Sequence, residues 1–186
     1  MTGIVLPDLS DGELSLRPPA ERDVDRITEI CRDDEVQRWT RVPSPYTRDD
    51  ARGFVQSSAD ALSTGRGIHL LAVDGDDAVL GAAGLDLDHR DLSAEIGYWV
   101  APEARRRGVA TRSCRLLLGF ALAEFALGYV ALWAAADNPG SNAVARSLGF
   151  SHEGTARQAM LIGPTGDPSA PRGDANLWGL RPGELT

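Results

Sequence analysis

The residues best suited to chemistry lie in one short stretch, residues 94–112, which reads AEIGYWVAPEARRRGVATR. Its pattern predicts an apolar strand, a turn through small residues and the start of a long helix. The N–H groups at a helix start lack partners within the helix, and together with the helix dipole they form an anion site. Arg105, Arg106 and Arg107 add positive charge just before that start. This order of elements suits the binding of a pyrophosphate.

The charge of the chain is unevenly distributed. Its 186 residues include 19 basic and 27 acidic side chains, for a formal net charge of −8, and every basic residue is arginine. Residues 104–123 hold five arginines and no acid, so this window carries +5 and the rest of the chain −13. Such a concentration favours a bound polyanion, and the alternative is a solvated helix face whose arginines pair with acids from elsewhere. The acidic total argues against nucleic acid as a partner.

Several chemistries are disfavoured because their residues are missing. A GxxxxGK[ST] phosphate loop needs a lysine, which the chain lacks, and no GxGxxG follows a predicted strand, so an NTPase or dinucleotide fold is not expected. The three histidines have no ligand partners at metal-binding spacing, so no metal is expected. Cys31 and Cys114 are too few for a disulfide framework, and both lie in predicted helices. We expect reduced thiols, a cytoplasmic protein and no acyl-cysteine intermediate.

The composition is that of an ordinary globular chain, with 42% hydrophobic and 25% charged residues. The longest uncharged stretch, residues 125–136, is too short to span a membrane, and the N-terminus lacks the basic and apolar regions of a signal peptide. We therefore expect no membrane partner and a single domain over residues 1–186.

Hydrophobic periodicity predicts the order β-α-α-β-β-β-α-β-α-β-β, which is an α/β (α+β) fold with a central mixed, mostly antiparallel sheet flanked by helices. The predicted strands are 13–17, 68–73, 79–87, 94–100, 129–135, 150–162 and 175–180. The predicted helices are 20–32, 47–65, 109–127 and 138–149, with a second short helical piece at 34–39 after the first of them, and residues 163–173 are expected to form an exposed loop. The helix at 47–65 begins with a capping-box pattern, and Asn138 before Pro139 is a typical helix start.

Three motifs of the sequence resemble motifs of the GNAT N-acetyltransferase superfamily. RRRGVA, residues 105–110, resembles its Q/R-x-x-G-x-G/A acyl-CoA signature, and EIGYWV, residues 95–100, lies where the family has a splayed strand. Asn138-x-x-Ser141, followed by Leu-Gly-Phe at 148–150, resembles its second motif. The stretch 39–54 and the strand at 174–180 are most similar to the RimJ/RimL branch, the ribosomal-protein N-terminal acetyltransferases.

The resemblance implies a GNAT-like fold whose sheet is splayed at an acyl-CoA cleft between the predicted strands 94–100 and 129–135. It implies acetyl-CoA as co-substrate and direct attack of an amine on the thioester. The acceptor of first choice is a protein or peptide N-terminal α-amine. A small cationic amine, such as an aminoglycoside or a polyamine, and a non-catalytic acyl-CoA-binding module are the alternatives, and the resemblance also makes a homodimer plausible.

The resemblance also assigns binding residues. Trp39 and Tyr46 are expected to contact the acceptor. The residues expected to contact acyl-CoA are Trp99, Val100, Arg105, Arg106, Arg107, Gly108, Val109, Ala110, Thr111 and Asn138.

Two residues are the catalytic candidates. Glu95 lies in an otherwise apolar strand, where burial would raise the pKa of a carboxyl group towards neutrality and suit it to act as base; the alternative is a strand-edge glutamate paired with an arginine. The family's usual acid is a tyrosine seven residues after the motif asparagine, but Ala145 occupies that position. Ser141 is the substitute that the resemblance favours, and the alternative is a residue that only serves the first helical turn. Tyr98 is interpreted as core or cleft wall.

Overall fold

The backbone is organised around one eight-stranded sheet in a computed structural model that describes residues 3–163 and 169–186. The sheet order is β1-β2-β3-β4-β5-β6-β8-β7, in which β5 and β6 are parallel and every other neighbouring pair of described strands is antiparallel. The strands are β1 (Leu9–Ser10), β2 (Ser15–Arg17), β3 (Gly67–Val73), β4 (Val79–Asp88), β5 (Ser93–Val100), β6 (Tyr129–Ala135), β7 (Ser151–Leu161) and β8 (Arg172–Leu180). The predicted mixed, mostly antiparallel sheet is confirmed.

The helices connect these strands and cover the sheet. They are α1 (Val24–Cys31), α2 (Asp34–Trp39), α3 (Arg48–Thr64), α4 (Val109–Glu124) and α5 (Pro139–Ser147), with short 3-10 helices at Glu21–Asp23 and Pro102–Ala104. Along α4, the residues Cys114, Leu117, Leu118 and Ala121 are fully buried, and the helix packs against β4 and β5. None of the described helices has the length and apolarity needed to cross a bilayer.

The predicted boundaries differ from the structure at the chain's two ends. The strand Leu9–Ser10 was not predicted, because two residues are too few to show a period; it pairs with β2 through Leu9 and Leu16. The helix predicted at 20–32 begins as a 3-10 turn, in which the Asp23 carboxylate accepts a hydrogen bond from the Ala20 N–H at 2.8 Å. β8 begins at Arg172 inside the predicted 163–173 loop, of which residues 164–168 lie outside the described part of the chain.

The predicted capping box at the start of α3 is confirmed. Thr47 Oγ1 accepts from the Asp50 N–H at 3.2 Å, and the Asp50 carboxylate accepts from the Thr47 N–H at 2.8 Å. Gly65 ends the helix with a φ of 72°, a left-handed conformation that glycine adopts without strain. The helix bounds are therefore set by local hydrogen bonds that the sequence pattern makes visible.

The parallel strands β5 and β6 pair over only three residues. Ser93, Ala94 and Glu95 face Tyr129, Val130 and Ala131, and beyond that point the two strands no longer pair. Each strand continues to pair with its outer neighbour, up to Val100 in β5 and Ala135 in β6. The sheet is thus splayed, as the family resemblance implies.

A buried asparagine holds the start of α5 against the splayed edge of β6. Asn142, only 3% exposed, donates from Nδ2 to the carbonyl groups of Ala135 at 2.9 Å and Asn138 at 2.6 Å. Its Oδ1 accepts from Asn176 Nδ2 at 2.8 Å and Trp178 Nε1 at 2.9 Å, both on β8. One side chain therefore joins the end of β6, the first turn of α5 and β8.

We predict that Asn142→Ala lowers the free energy of unfolding by about 2–3 kcal/mol, because it leaves buried donors and acceptors unpaired. Urea unfolding at pH 7 measures the effect. The control, Asn176→Ala, removes only one partner of the same network from a half-buried position and should cost about 1 kcal/mol. A loss for Asn142→Ala no larger than that of the control would contradict the anchoring role.

Candidate active site

A cleft of about 1680 Å³ opens where β5 and β6 part. One wall is β5, another is the start of α4, and a third is the start of α5 with the loop before it. Of the predicted site residues, Arg107 does not line this cleft. The predicted residues that do line it are Trp39, Tyr46, Glu95, Trp99, Val100, Arg105, Arg106, Gly108, Val109, Ala110, Thr111, Asn138 and Ser141.

The start of α4 presents an anion site to the cleft. Gly108 caps the helix in the left-handed conformation with a φ of 76°, and Arg106 before it also has a positive φ of 59°. Because Gly108 is the N-cap, the N–H groups of the next residues point out of the helix end without partners in the helix. The first turn holds no acidic side chain. The helix dipole and these donors therefore remain available to an anion in the cleft.

The five arginines of the basic window divide into two groups. Arg112 forms an ion pair with Asp11 at 2.6 Å, and Arg115 donates to the backbone carbonyl of Thr186 at 2.7 Å. Arg105 pairs with Asp33. Arg105 and Arg112 therefore pair with acids from elsewhere in the chain, as the alternative expects, whereas Arg115 is held by a backbone carbonyl group.

Arg106 and Arg107 form no ion pair with any described residue. Both are exposed beside the start of α4, and Arg106 lines the cleft. Beside the start of α4, the arginines without an ion pair are therefore these two, of which Arg106 lines the cleft and Arg107 lies next to it in the chain.

The pair of Arg105 and Asp33 connects α2 to the loop before α4. Asp33 also caps α2 by accepting from the N–H groups of Glu35 and Val36. Partial burial alone would raise the pKa of Asp33, but the hydrogen bonds from Arg105 and Val36 outweigh it and lower the pKa. The carboxylate therefore stays ionised and holds the arginine loop in place, which makes Arg105 a structural as well as a cleft residue.

Glu95 lies on the wall of the cleft, but its predicted burial is wrong. Its side chain is 43% exposed, and Arg41 approaches it with Nη1 3.6 Å from Oε1. The apolar neighbours in its strand point to the other face, towards the core, as the alternating burial of β5 requires. The argument that burial tunes this carboxyl group therefore does not hold, and its place in the cleft is what remains.

A histidine–aspartate pair that sequence reasoning missed lies beside Glu95. Asp86 is the cross-strand partner of Glu95, and its Oδ1 is 3.1 Å from His69 Nε2. This hydrogen bond lowers the pKa of Asp86. A Cβ on Gly84 would lie 2.5 Å from His69 Nδ1, so the imidazole ring needs a glycine there. The sequence signal was the alternation of strands β3 and β4, which places His69, Gly84 and Asp86 on one face.

Asn138 and Ser141 meet at the start of α5, as their spacing predicts. Asn138 Oδ1 accepts from the Ser141 N–H at 3.0 Å, which confirms Asn138 as the helix cap. Across the cleft, the Tyr98 hydroxyl donates to Ser141 Oγ at 2.8 Å. Sequence reasoning interpreted Tyr98 as a wall residue, because no local pattern reports a hydrogen bond between residues 43 positions apart.

The two predicted acceptor contacts have different environments. Trp39, at the end of α2, lines the cleft while its indole Nε1 donates to Glu35 at 2.7 Å. Tyr46 is only 4% exposed and lies against Cys31 at the floor of the cleft. Burial raises the pKa of the Cys31 thiol to about 12 and also raises that of Cys114. Both thiols are therefore protonated and unsuited to act as nucleophiles.

No group of three or more potential metal ligands occurs among the described residues.

Comparison with known proteins identifies relatives of this arrangement. A family model described as an acetyltransferase (GNAT) domain matches residues 13–151. A putative ribosomal N-acetyltransferase, YdaF from Bacillus subtilis (strain 168), is 42% identical over 77 residues, which cover 41% of this chain and 42% of YdaF. The ribosomal-protein-serine acetyltransferase of Escherichia coli (strain K12) is 27% identical over 135 residues, covering 67% of this chain and 72% of that protein.

A solved structure has the same fold. It is RimL, a ribosomal L7/L12 α-N-protein acetyltransferase in complex with coenzyme A, and it superposes with a TM-score of 0.82 at 21% identity, covering 93% of this chain and 96% of RimL.

We predict that the double variant Arg106→Ala/Arg107→Ala weakens coenzyme A binding by about 1–3 kcal/mol, the scale of charge-assisted hydrogen bonds to phosphate. Titration calorimetry measures the dissociation constant, and the difference from wild type should shrink as salt is added because both side chains are exposed. Arg115→Ala is the matched control, since it removes one arginine of the same window that is turned to the C-terminus. Equal affinity of the double variant and the control would remove these arginines from the site.

Proposed function

Because the chain belongs to the acetyltransferase (GNAT) domain family, we propose that it transfers the acetyl group of acetyl-CoA to the α-amino group of a protein or peptide N-terminus. The observation that carries the proposal is the meeting of two helix starts at the splayed edge of the sheet. The start of α4 offers N–H donors and arginines for a pyrophosphate, and the start of α5 offers Ser141. These groups are what a phosphate-bearing thioester requires at its two ends.

The choice of a protein N-terminus is supported by the names of the relatives, two of which are described as ribosomal acetyltransferases. An α-amine also suits the site chemically. Its pKa is near 8, so a sizeable fraction is already neutral at physiological pH and only modest help from a base is needed. Trp39 and Tyr46 remain the proposed acceptor contacts.

The proposed reaction is a direct displacement. The amine nitrogen attacks the thioester carbon, the carbon–sulfur bond breaks, the electron pair goes to sulfur, and the amine loses one proton. The two buried cysteines are protonated, which supports a route without an acyl-cysteine intermediate. Two reduced cysteines also suit the predicted cytoplasmic location. The homodimer stays a prediction.

Glu95 remains the proposed base. Its carboxylate faces the cleft from the last residue of β5 that pairs with β6, which puts it at the point where the strands part. Its role does not rest on burial. A half-exposed carboxylate accepts the amine proton directly or through one water, and Arg41 Nη1 lies 3.6 Å from its Oε1.

The proposed function is tested with a panel of acceptors in an assay for thiol release from acetyl-CoA. The panel holds peptides with free N-termini beginning with serine, alanine or methionine, the same peptides with blocked N-termini, a polyamine and an aminoglycoside. We expect turnover with free N-termini and none with blocked ones, with mass spectrometry locating the acetyl group on the terminal nitrogen. Turnover confined to the polyamine or the aminoglycoside would overturn the choice of acceptor. If no amine in the panel caused thiol release, the chain would be a binding module rather than an enzyme.

We predict that Glu95→Gln lowers kcat by roughly 10²-fold or more while coenzyme A binding persists, the loss typical for a general base. The defect should shrink as the pH rises above the pKa of the acceptor amine, because the amine then needs no base. Steady-state rates between pH 6 and 10, with the KM for acetyl-CoA, measure both effects.

Asp86→Asn is the matched control for Glu95→Gln. It removes the carboxylate directly opposite Glu95 on the neighbouring strand. We expect it to lower kcat by only a small part of the factor lost in Glu95→Gln. A Glu95→Gln defect that stays constant across the pH range, or one matched by the control, would indicate a structural or a general electrostatic role.

A further inference from the structure

Tyr98 and Ser141 form a bridge across the splayed part of the cleft. Tyr98 lies on β5 beyond the last residue that pairs with β6, and Ser141 lies in the first turn of α5. The Tyr98 hydroxyl and Ser141 Oγ are 2.8 Å apart, with Tyr98 as donor. Both residues line the cleft. The bond therefore joins two walls that the backbone leaves separate.

The chemistry of the pair fixes the direction of this hydrogen bond. Burial raises the pKa of the Tyr98 phenol, so the phenol is neutral and carries its proton throughout the working pH range. A neutral phenol in hydrogen-bond contact with an alcohol donates well, since it is the more acidic of the two groups. Ser141 Oγ is then the acceptor, and its lone pair facing Tyr98 is occupied.

The proton of the Ser141 hydroxyl must therefore point elsewhere. The Ser141 N–H is already used by Asn138 Oδ1 at 3.0 Å, which holds the residue in the first turn. Among the described residues, no acceptor engages the Ser141 O–H. The side chain thus presents one free donor to the cleft, polarised by the hydrogen bond that it accepts from Tyr98.

We propose that Tyr98 is a positioning residue that aims and strengthens the Ser141 O–H as the hydrogen-bond donor to the departing thiolate. The proposal deepens the proposed function and rests on it. As the carbon–sulfur bond breaks, sulfur takes the electron pair and the Ser141 O–H hydrogen-bonds to it. The proton that sulfur finally gains comes from solvent or from the amine, so Ser141 and Tyr98 both end the reaction with their own protons.

This arrangement explains how a serine acts where an alcohol alone is a weak donor. Ala145, at the position where the wider family carries its tyrosine, is completely buried and offers no polar group. Here a phenol reaches the site from a different element, β5, and acts through Ser141 rather than on sulfur itself. A hydrogen bond received by a donor group strengthens the bond that it makes in turn.

A double-mutant cycle tests the proposal with wild type, Tyr98→Phe, Ser141→Ala and the combined variant. Acetyl-CoA and the acceptor peptide identified in the panel are the substrates. We expect Tyr98→Phe to lower kcat roughly 5- to 20-fold, the scale of one hydrogen bond. Ser141→Ala should lower it at least as much. In the Ser141→Ala background, Tyr98→Phe should change kcat less than about twofold, because its route of action is gone. The dissociation constant of coenzyme A should stay within about twofold in all four proteins.

Tyr129→Phe is the matched control, since it removes a tyrosine hydroxyl from β6 outside the cleft and should leave kcat unchanged. Thermal melting runs beside each assay, and rates are taken at a temperature where every variant is folded. Equal kcat in Tyr98→Phe and wild type would overturn the proposal. The same factor lost in both backgrounds would also overturn it, because a structural effect of Tyr98 does not depend on Ser141. If wild type turned over none of the acceptors, the proposed function would fail together with this inference, whereas an active wild type confines the failure to Tyr98.

Discussion

The short pairing between β5 and β6 is the constraint on which the site depends. Two parallel strands in the middle of a sheet ordinarily pair along their length, yet these pair only from Ser93 to Glu95. Each strand stays paired with its outer neighbour, β4 on one side and β8 on the other, so the sheet opens without losing its outer hydrogen bonds. The result is an opening between β5 and β6 in which the facing edges of the two strands no longer pair.

The opening also determines what surrounds it. Both splayed strands lead into helices, β5 into α4 and β6 into α5, and both helices start at the cleft. Each start presents unpaired N–H groups and the positive end of a helix dipole. The two ends differ in what their side chains add. Beside α4 lie Arg106 and Gly108, suited to phosphate, whereas α5 begins with Asn138 and Ser141, suited to a smaller polar group. The fold therefore arranges two different anion-stabilising ends around one opening.

Much of this was predictable from the sequence, because the decisive signals are local. The small-residue turn with its arginines, the capping box at Thr47 and the asparagine–proline helix start each depend on neighbouring residues. The strand periods placed every strand of the sheet except β1 within a few residues. The family resemblance supplied the splay, which no periodicity reports, since β5 and β6 both have the pattern of ordinary buried strands.

The remaining features depend on contacts between residues far apart in the chain. The burial of Glu95 was predicted from its apolar strand, but strand alternation turned it to the open face. The pairing of Arg105 with Asp33 and the Tyr98–Ser141 bond join elements whose approach only the folded chain defines. The imidazole of His69 lies over Gly84, a contact set by the register of β3 and β4. Because Arg105 and Arg112 pair with acids of the same chain, the count of charges along the sequence overstated the number of arginines free to bind a ligand.

The central claim is that the opening between β5 and β6 is where coenzyme A binds. Amide hydrogen exchange of the wild-type protein, measured with and without coenzyme A, tests it most directly. The account predicts slower exchange in two segments, residues 97–101 at the splayed end of β5 and residues 107–111 at the start of α4, with smaller changes in β3 and β7. Protection confined to other parts of the chain, with these two segments unchanged, would contradict it.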